Sequence, residues 1–249
     1  MGTWPYNHLR KQLLNQEQII VGQFVDLTSA DGQKIPAYVA RPEGQPRGGI
    51  VVLQEIFGVN SHIRNVADGY AKAGYVAVAP ALFQRVKPGV ELGYTDADMK
   101  AGFELKTAAE ALPAPGLLPD TQAAIDYAAK ESGGKVGIVG YCWGGLLSWR
   151  AAALAKGLSA AVTYYGGGMT TPEESARQPQ VPVMAHFGDK DHWITVDSVK
   201  AFEKAHPDVE VHLYEADHGF NCDQRGSYNA HAAATALERS LYHFGKHVG

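Results

Sequence analysis

The chain has 249 residues, of which 45% are hydrophobic and 19% charged, so it can bury a substantial core and is neither disordered nor a small disulfide-stabilised protein. Its 22 basic and 26 acidic residues give a net charge of −4, without the positive excess that nucleic-acid backbones attract. No apolar run approaches the ~20 residues that cross a bilayer, and residues 1–18 are polar, so we expect a cytoplasmic protein. Two cysteines are too few for a disulfide framework.

The first strand signals lie near the N-terminus. The β-like stretches Ile19–Thr28 and Lys34–Ala40 flank the turn signal Asp31-Gly32, which predicts an antiparallel hairpin. Glycine and proline are spread through the chain, and no repeat or low-complexity tract is present. We therefore predict one domain over residues 1–249.

Buried strands and helices then alternate along the chain. The predicted strands are Gly49–Leu53, Tyr75–Ala79, Val136–Val139, Ala160–Tyr164, Val181–Phe187 and Val209–Tyr214. The predicted helices are His62–Ala73, Asp120–Glu131, Gly144–Ala155, Val196–His206 and Ser227–Phe244. This order predicts an α/β fold with a mostly parallel central sheet and helices on both faces. The segment Arg85–Gly116 is the least regular, and we interpret it either as a cap over a site or as a surface excursion.

A glycine-flanked cysteine lies between a predicted strand and a predicted helix, in the run Gly140-Tyr141-Cys142-Trp143-Gly144. This spacing is typical of a nucleophile elbow, in which small residues permit a strained turn that exposes the central side chain above the sheet. The N-terminal end of the following helix dipole favours a thiolate. Cys142 is therefore the candidate nucleophile, with a buried cysteine on a glycine-rich turn as the alternative.

A nucleophile needs a base and an orienting acid, which on α/β-hydrolase sheets follow it in the order acid, histidine. The loop after Val181–Phe187 contains Asp189 and Asp191, and either carboxylate could orient the base. The loop after Val209–Tyr214 contains His218 beside a glycine, which makes it the leading base. The alternative histidines are His186, His192, His206 and His212.

An oxyanion hole in this architecture takes one backbone N–H from the residue after the nucleophile and one from the loop after an earlier strand. Trp143 supplies the first, and the loop after Gly49–Leu53 predicts the second near Ile56. Glu55 in that loop would disfavour a thiolate by its charge, which suggests a switch; the alternative is a solvated loop acid.

Six separated motifs carry a resemblance to a known family. They are the runs at residues 54–60, 74–80, 137–145, 164–166, 188–192 and 216–220, and they include Gln54-Glu55-Ile56-Phe57-Gly58-Val59-Asn60 and Ala216-Asp217-His218-Gly219-Phe220. The chain resembles the dienelactone hydrolases (carboxymethylenebutenolidases), which have a single-domain α/β-hydrolase fold. The resemblance implies a triad of Cys142, Asp191 and His218. It also implies thiol activation by Glu55 as substrate enters.

The same resemblance predicts a hydrolase of small lactones or esters that acts through an acyl-enzyme. The chain departs from the family at the positions that hold the substrate carboxylate. The position four residues after His218, where the family has an arginine, is Cys222, and the first arginine beyond it is Arg225. A second family arginine falls near Lys100, and the irregular segment contains Arg85. We take Arg85, Lys100 and Cys222 as candidate substrate-binding residues. Cys222 either lines the pocket or forms a redox-linked disulfide with Cys142.

Three rival functions fit less well. A metal-dependent hydrolase lacks an H-E-x-x-H motif, and a dinucleotide-binding enzyme lacks G-x-G-x-x-G. A non-catalytic protein of the same fold that binds a small ligand is the remaining alternative. We expect no cofactor and no metal, a small ester or lactone as the partner, and a monomer or small homo-oligomer.

Overall fold

The computed structural model describes residues 22–249, in which eight strands form one sheet. The strands are β1 (Gln23–Thr28), β2 (Lys34–Ala40), β3 (Gly49–Leu53), β4 (Val76–Pro80), β5 (Val136–Tyr141), β6 (Leu158–Tyr164), β7 (Val183–Gly188) and β8 (Glu210–Tyr214). Their spatial order is β1-β2-β4-β3-β5-β6-β7-β8. The six strands from β3 to β8 pair with one another in parallel, which confirms the predicted mostly parallel sheet.

The predicted N-terminal hairpin is present. β1 pairs antiparallel with β2 from Gln23 opposite Val39 to Thr28 opposite Lys34, and Gly32 takes the positive φ of 85° that the turn requires. β2 also pairs antiparallel with β4, which joins the hairpin to the parallel strands. Of the predicted first strand, residues 19–21 lie outside the described residues.

Seven helices accompany the described strands. They are α1 (Ser61–Lys72), α2 (Asp96–Glu110), α3 (Leu118–Ser132), α4 (Trp143–Leu154), α5 (Pro172–Ser175), α6 (Val196–Ala205) and α7 (Ala230–His247). Within residues 22–249, none of these helices has the length and apolar character needed to cross a membrane.

Helices pack on both faces of the sheet, as predicted. On one face the ring of Tyr70 in α1 lies 5.9 Å from that of Phe244 in α7. On the other, Gly49 at the start of β3 is in such close contact with Ala128 of α3 that a Cβ there would lie 2.9 Å from the alanine methyl. Because successive strand residues point to opposite faces, the apolar runs of β3 and β5 are buried on both sides.

The segment from Arg85 to Gly116 is more regular than predicted, because it contains the fifteen-residue helix α2. Thr95 caps this helix and forms a reciprocal capping box with Asp98. Only Gly102 and Ala109 of the helix are buried, so its sequence carries no broad apolar stripe. A surface helix of this kind lacks the hydrophobic periodicity on which the prediction depended.

Candidate active site

Cys142 occupies a strained turn between β5 and α4, with φ 55° and ψ −117°. Its backbone N–H donates to the Tyr164 carbonyl at 2.9 Å, which ties the turn to the neighbouring strand. The two flanking glycines are sterically required: a Cβ at Gly140 would collide with the Gly144 carbonyl, and one at Gly144 would collide with the carbonyl of Leu53. The local sequence therefore has the geometry of a nucleophile elbow, and the sulfur lies at the carboxyl edge of the sheet.

Trp143 begins helix α4 and anchors the elbow. Its indole stacks on Phe83 with ring centroids 5.0 Å apart and donates from Nε1 to Glu110 of α2 at 2.7 Å. The backbone N–H of Trp143 is one of the first-turn amides for which a helix offers no internal acceptor. It is therefore suited to bind a developing negative charge, and its place in an oxyanion hole stays a prediction.

Gln54 fixes the loop that carries the second predicted oxyanion donor. Its fully buried side chain accepts from the backbone of Leu82 at 3.1 Å and donates to the Glu55 carbonyl at 3.2 Å. Because the peptide is planar and trans, this contact turns the N–H of Ile56 to the opposite side. Ile56 is also one of the residues that line the cavity beside Cys142.

His218 is held by Asp191 across 2.7 Å, from Nδ1 to Oδ2. The other carboxylate oxygen of Asp191 accepts from the backbone amides of Trp193 and Ile194 at 2.9 and 3.1 Å. Both partners of the pair are buried, whereas Asp189, the other acid in the same loop, is exposed. The structure thus brings together the histidine and the second of the two candidate acids.

The electrostatic surroundings of His218 couple it to Cys142. Burial lowers the pKa of the imidazole, but the negative charge of a Cys142 thiolate and hydrogen bonds to Asp191 and Cys142 outweigh it and raise the pKa to about 10. The rings of Tyr165 and Trp193 lie 5.1 and 4.9 Å from the imidazole and hold it in place. An imidazolium beside a sulfur in this setting is suited to stabilise a thiolate.

Glu55 is buried at 1% exposure and pairs with an arginine that the sequence interpretation did not select. Arg225 donates from Nη1 to Oε1 of Glu55 at 3.2 Å, and the hydroxyl of Tyr94 lies 3.4 Å from Oε2. Burial and the charge of Glu55 raise the pKa of Tyr94. Glu55 is therefore not the solvated loop acid of the alternative interpretation.

Successive turns after His218 bring Arg225 back towards the sulfur. The Cys222 amide donates to the Gly219 carbonyl at 2.9 Å, and the Arg225 amide donates to the Cys222 carbonyl at 3.1 Å. The guanidinium lies so close to Gly219 that a Cβ there would collide with it. The sequence signal for Arg225 was its position six residues after Gly219. That spacing alone does not show that the arginine reaches Glu55, because the contact depends on the path of the loop.

The structure does not bring Arg85 or Lys100 to the same cavity. Arg85 binds Asp31 and the buried Asp120, each at 2.6 Å, and these carboxylates raise its pKa. Lys100 lies on a groove along the outer surface of α2, and Lys106 of the same helix lines the cavity instead. The prediction that Arg85 and Lys100 line the substrate cavity is therefore wrong. Arg85 forms salt bridges outside it, and Lys100 lies on the outer surface.

Cys222 is fully buried and is not among the cavity-lining residues, so the structure does not support its placement against substrate. Burial and the charge of Glu55 raise the pKa of its thiol to about 11. Both Cys142 and Cys222 are free thiols.

The cavity beside Cys142 and His218 has a volume of about 210 Å³. The apolar side chains in its wall are Ile56, Phe57, Met99, Phe103 and Trp193. Among its lining residues within 22–249 are two cations, Lys106 and Arg225, and no acid. The cavity is therefore small and largely apolar, and two basic side chains line it.

Comparison with known proteins assigns the family. The profile of the dienelactone hydrolase family matches residues 35–248. The carboxymethylenebutenolidases of Pseudomonas putida and Pseudomonas knackmussii are each 37% identical over 225 residues, which cover 87% of this chain and 93% of each relative. A Klebsiella pneumoniae crystal structure, provisionally named a dienelactone hydrolase, is 31% identical with a TM-score of 0.79 and covers 92% of this chain and 100% of its own.

These matches confirm the α/β-hydrolase fold and favour an enzyme over the non-catalytic alternative. Because the profile spans most of the chain and the Pseudomonas relatives cover most of both lengths, the chain belongs to the dienelactone hydrolase family and is a carboxylic ester or lactone hydrolase.

Proposed function

We propose that the protein is a cysteine-nucleophile hydrolase that opens small esters or lactones through an acyl-enzyme. Cys142 is the nucleophile, His218 the general acid and base, and Asp191 the group that orients the imidazole. The observation that carries the proposal is the buried His218–Asp191 hydrogen bond of 2.7 Å, with Cys142 in a strained elbow as the other partner of the imidazole.

In the first half of this mechanism the Cys142 thiolate attacks the substrate carbonyl carbon. The carbonyl oxygen gains negative charge, which the backbone N–H groups of Trp143 and Ile56 stabilise. Collapse of the tetrahedral intermediate breaks the bond to the alkoxide oxygen, and His218 donates its proton to that oxygen. In the second half, water loses a proton to His218 and attacks the thioester, which releases the acid and the Cys142 thiolate. The thiolate recovers its proton from the acid that activated it.

We assign thiol activation to Glu55 through its salt bridge with Arg225. A carboxylate on the substrate competes with Glu55 for the guanidinium, because one cation cannot form its best contacts with both. Glu55, once displaced, has a carboxylate oxygen available to accept the proton of the Cys142 thiol. His218, whose pKa is raised to about 10, is then already an imidazolium and supplies the proton for the alkoxide. The enzyme would thereby form its thiolate mainly when a suitable substrate is bound.

The cavity favours a small substrate with an apolar body and one carboxylate. Its volume of about 210 Å³ is below that of sites for drug-sized ligands, which begin at roughly 300 Å³. Arg225 lines it beside Phe57, with the guanidinium 5.8 Å from the ring centroid. We place the enzyme in the cytoplasm, where a reducing environment keeps both cysteines as thiols.

The direct test is to trap the intermediate. A slowly hydrolysed activated ester should add one acyl group to Cys142, located by mass spectrometry of the digested protein. Cys142→Ala should remove both the adduct and turnover, and Cys142→Ser should retain only weak activity because a hydroxyl needs stronger base assistance. Full turnover by Cys142→Ala, or an adduct on another residue, would contradict the assignment.

A further inference from the structure

A second cluster of reactive side chains lies behind the cavity, where β3, α1 and the loop after β8 meet. In the described part of the chain, Glu55, His62 and Cys222 are the one group of three such residues whose ligand atoms all lie within 4.8 Å of one another. They are 1%, 3% and 0% exposed. The cluster joins a carboxylate oxygen, a ring nitrogen and a sulfur in a space closed to bulk solvent.

His62 carries an observation that points to a ligand. Its Nε2 atom is buried and has no hydrogen-bond partner, which is costly for a polar group and uncommon in folded proteins. Its other ring nitrogen, Nδ1, faces the exposed carboxylate of Asp223 at 3.6 Å. Metal-binding histidines commonly have this arrangement, with a carboxylate on one nitrogen and the metal on the other.

The chemical types of the three ligands indicate which metal ion would bind. A thiolate, an imidazole and a carboxylate suit zinc, which binds sulfur, nitrogen and oxygen in tetrahedral sites, and suit hard cations such as Mg²⁺ poorly. A surface groove of about 290 Å³ between α1 and α7 has both His62 and Asp223 in its wall, so it reaches the side of His62 that faces Asp223. The site therefore has three ligands and an orienting carboxylate.

We propose that Glu55, His62 and Cys222 form a binding site for a thiophilic divalent cation, with Zn²⁺ as its natural occupant. On binding, the Cys222 sulfur forms a bond to the metal and releases its proton to solvent, while Nε2 of His62 and one oxygen of Glu55 donate lone pairs. A fourth ligand, water or the Tyr94 oxygen that already lies 3.4 Å from Glu55, completes the tetrahedron.

The cation would inhibit the hydrolase, a consequence that rests on the proposed role of Glu55. Arg225 and the metal both require the Glu55 carboxylate, whose Oε1 the guanidinium contacts at 3.2 Å. A carboxylate bound to Zn²⁺ is no longer free to take a proton from the Cys142 thiol. Metal binding and inhibition are separable, because the first can be measured without substrate.

Within residues 22–249, two other places could bind the same ion and must be distinguished. Cys142 and His218 offer a sulfur and a nitrogen in the active site. His243 and His247, with ring centroids 4.8 Å apart on α7, offer two nitrogens and no sulfur. A probe that reports a metal–sulfur bond excludes the second, and substitution of each cysteine separates the first.

The experiment is a titration of the chelator-treated protein with Co²⁺, followed by absorption spectroscopy. We expect one equivalent to produce a thiolate-to-cobalt charge-transfer band together with tetrahedral d–d bands, both removed by an equivalent of Zn²⁺. Cys142→Ser and His247→Gln should keep the band, whereas Cys222→Ser should lose it. Asp223→Asn, a change at an exposed side chain that leaves the buried cluster intact, should weaken binding about 10–100-fold.

Loss of the band in Cys142→Ser with retention in Cys222→Ser would overturn the proposal, as would the absence of a band in the wild-type protein. Thermal melts verify that Cys222→Ser is folded, and the Asp223→Asn result stands if it is not. Zn²⁺ should inhibit ester hydrolysis at concentrations at least 10-fold lower in the wild type than in Asp223→Asn. Equal inhibition of the two proteins would overturn the competition for Glu55 but not the spectroscopic result.

Discussion

Arg225 and Glu55 lie 170 positions apart in the sequence and form a salt bridge of 3.2 Å, with side chains 11% and 1% exposed. Each buried charge is stabilised by its partner, so neither can leave the pair unless another group of opposite charge takes the place of that partner. In the proposed function, a substrate carboxylate takes that place beside Arg225, and the pair would connect substrate recognition with the acid that activates the nucleophile.

Substitution of Arg225 should reduce selection for anionic substrates. Arg225→Met is expected to raise KM for a carboxylate-bearing lactone about 10–100-fold relative to a neutral ester of similar size, because a charge-assisted hydrogen bond is lost. Arg225→Lys should be intermediate, since lysine retains the charge without the bidentate fork. Lys100→Met, a cation of α2 outside the cavity, is the matched control. Steady-state kinetics with both substrates checks this, and an unchanged KM ratio in Arg225→Met would refute it.

The acid that orients His218 can be tested within one loop. Asp191→Asn should lower kcat about 10⁴-fold, because an amide stabilises the wrong imidazole tautomer while the fold is retained. Asp189→Asn removes an exposed carboxylate two residues away and should leave kcat within about 2-fold, the size expected for a surface change. Similar losses in the two variants would show that Asp191 has no special role.

Glu55 should control the reactivity of Cys142 towards alkylation. Glu55→Gln removes a buried negative charge, so the midpoint of the iodoacetamide rate against pH should move to lower pH. Peptide mass spectrometry separates labelling of Cys142 from that of the buried Cys222. Asp223→Asn provides a control with an exposed carboxylate. If Glu55→Gln and the wild type give the same profile, Glu55 does not act on the thiol.

Arg85 should contribute to stability and not to substrate binding. Its guanidinium binds the fully buried carboxylate of Asp120, so Arg85→Met is expected to lower the free energy of unfolding by about 3 kcal/mol, with KM unchanged. The double variant Arg85→Met/Asp120→Leu should recover part of the loss, because no unpaired charge stays buried. Urea unfolding measures both, and a stable Arg85→Met with raised KM would restore a substrate-binding role.

The parallel sheet was predictable from sequence because its signals are local. Each buried strand is a short apolar run, and β3 was predicted with the bounds that the structure has. Helix α2 was missed for the converse reason. Its side chains are mostly exposed, and a helix that buries only Gly102 and Ala109 has no strong hydrophobic period.

Some residues of the candidate site could likewise be predicted from local sequence, and others could not. The elbow at Cys142 was recognisable because Gly140 and Gly144 are adjacent in sequence to the turn that requires them. His218 followed from its place after β8, since the carboxyl ends of parallel strands meet at one edge of the sheet. Between Asp189 and Asp191 the residues alone did not decide, and the choice of Asp191 came from the family resemblance.

The sequence by itself determined the α/β architecture, the elbow and the order of the reactive residues, because these depend on apolar periodicity, glycine sterics and chain direction within a few neighbouring residues. The tertiary structure alone decided which cations line the cavity, namely Lys106 and Arg225. Arg85 is occupied by Asp31 and Asp120, while consecutive turns after His218 carry Arg225 to Glu55. Such pairings depend on how loops that are distant in sequence pack against each other. No local sequence pattern specifies that packing.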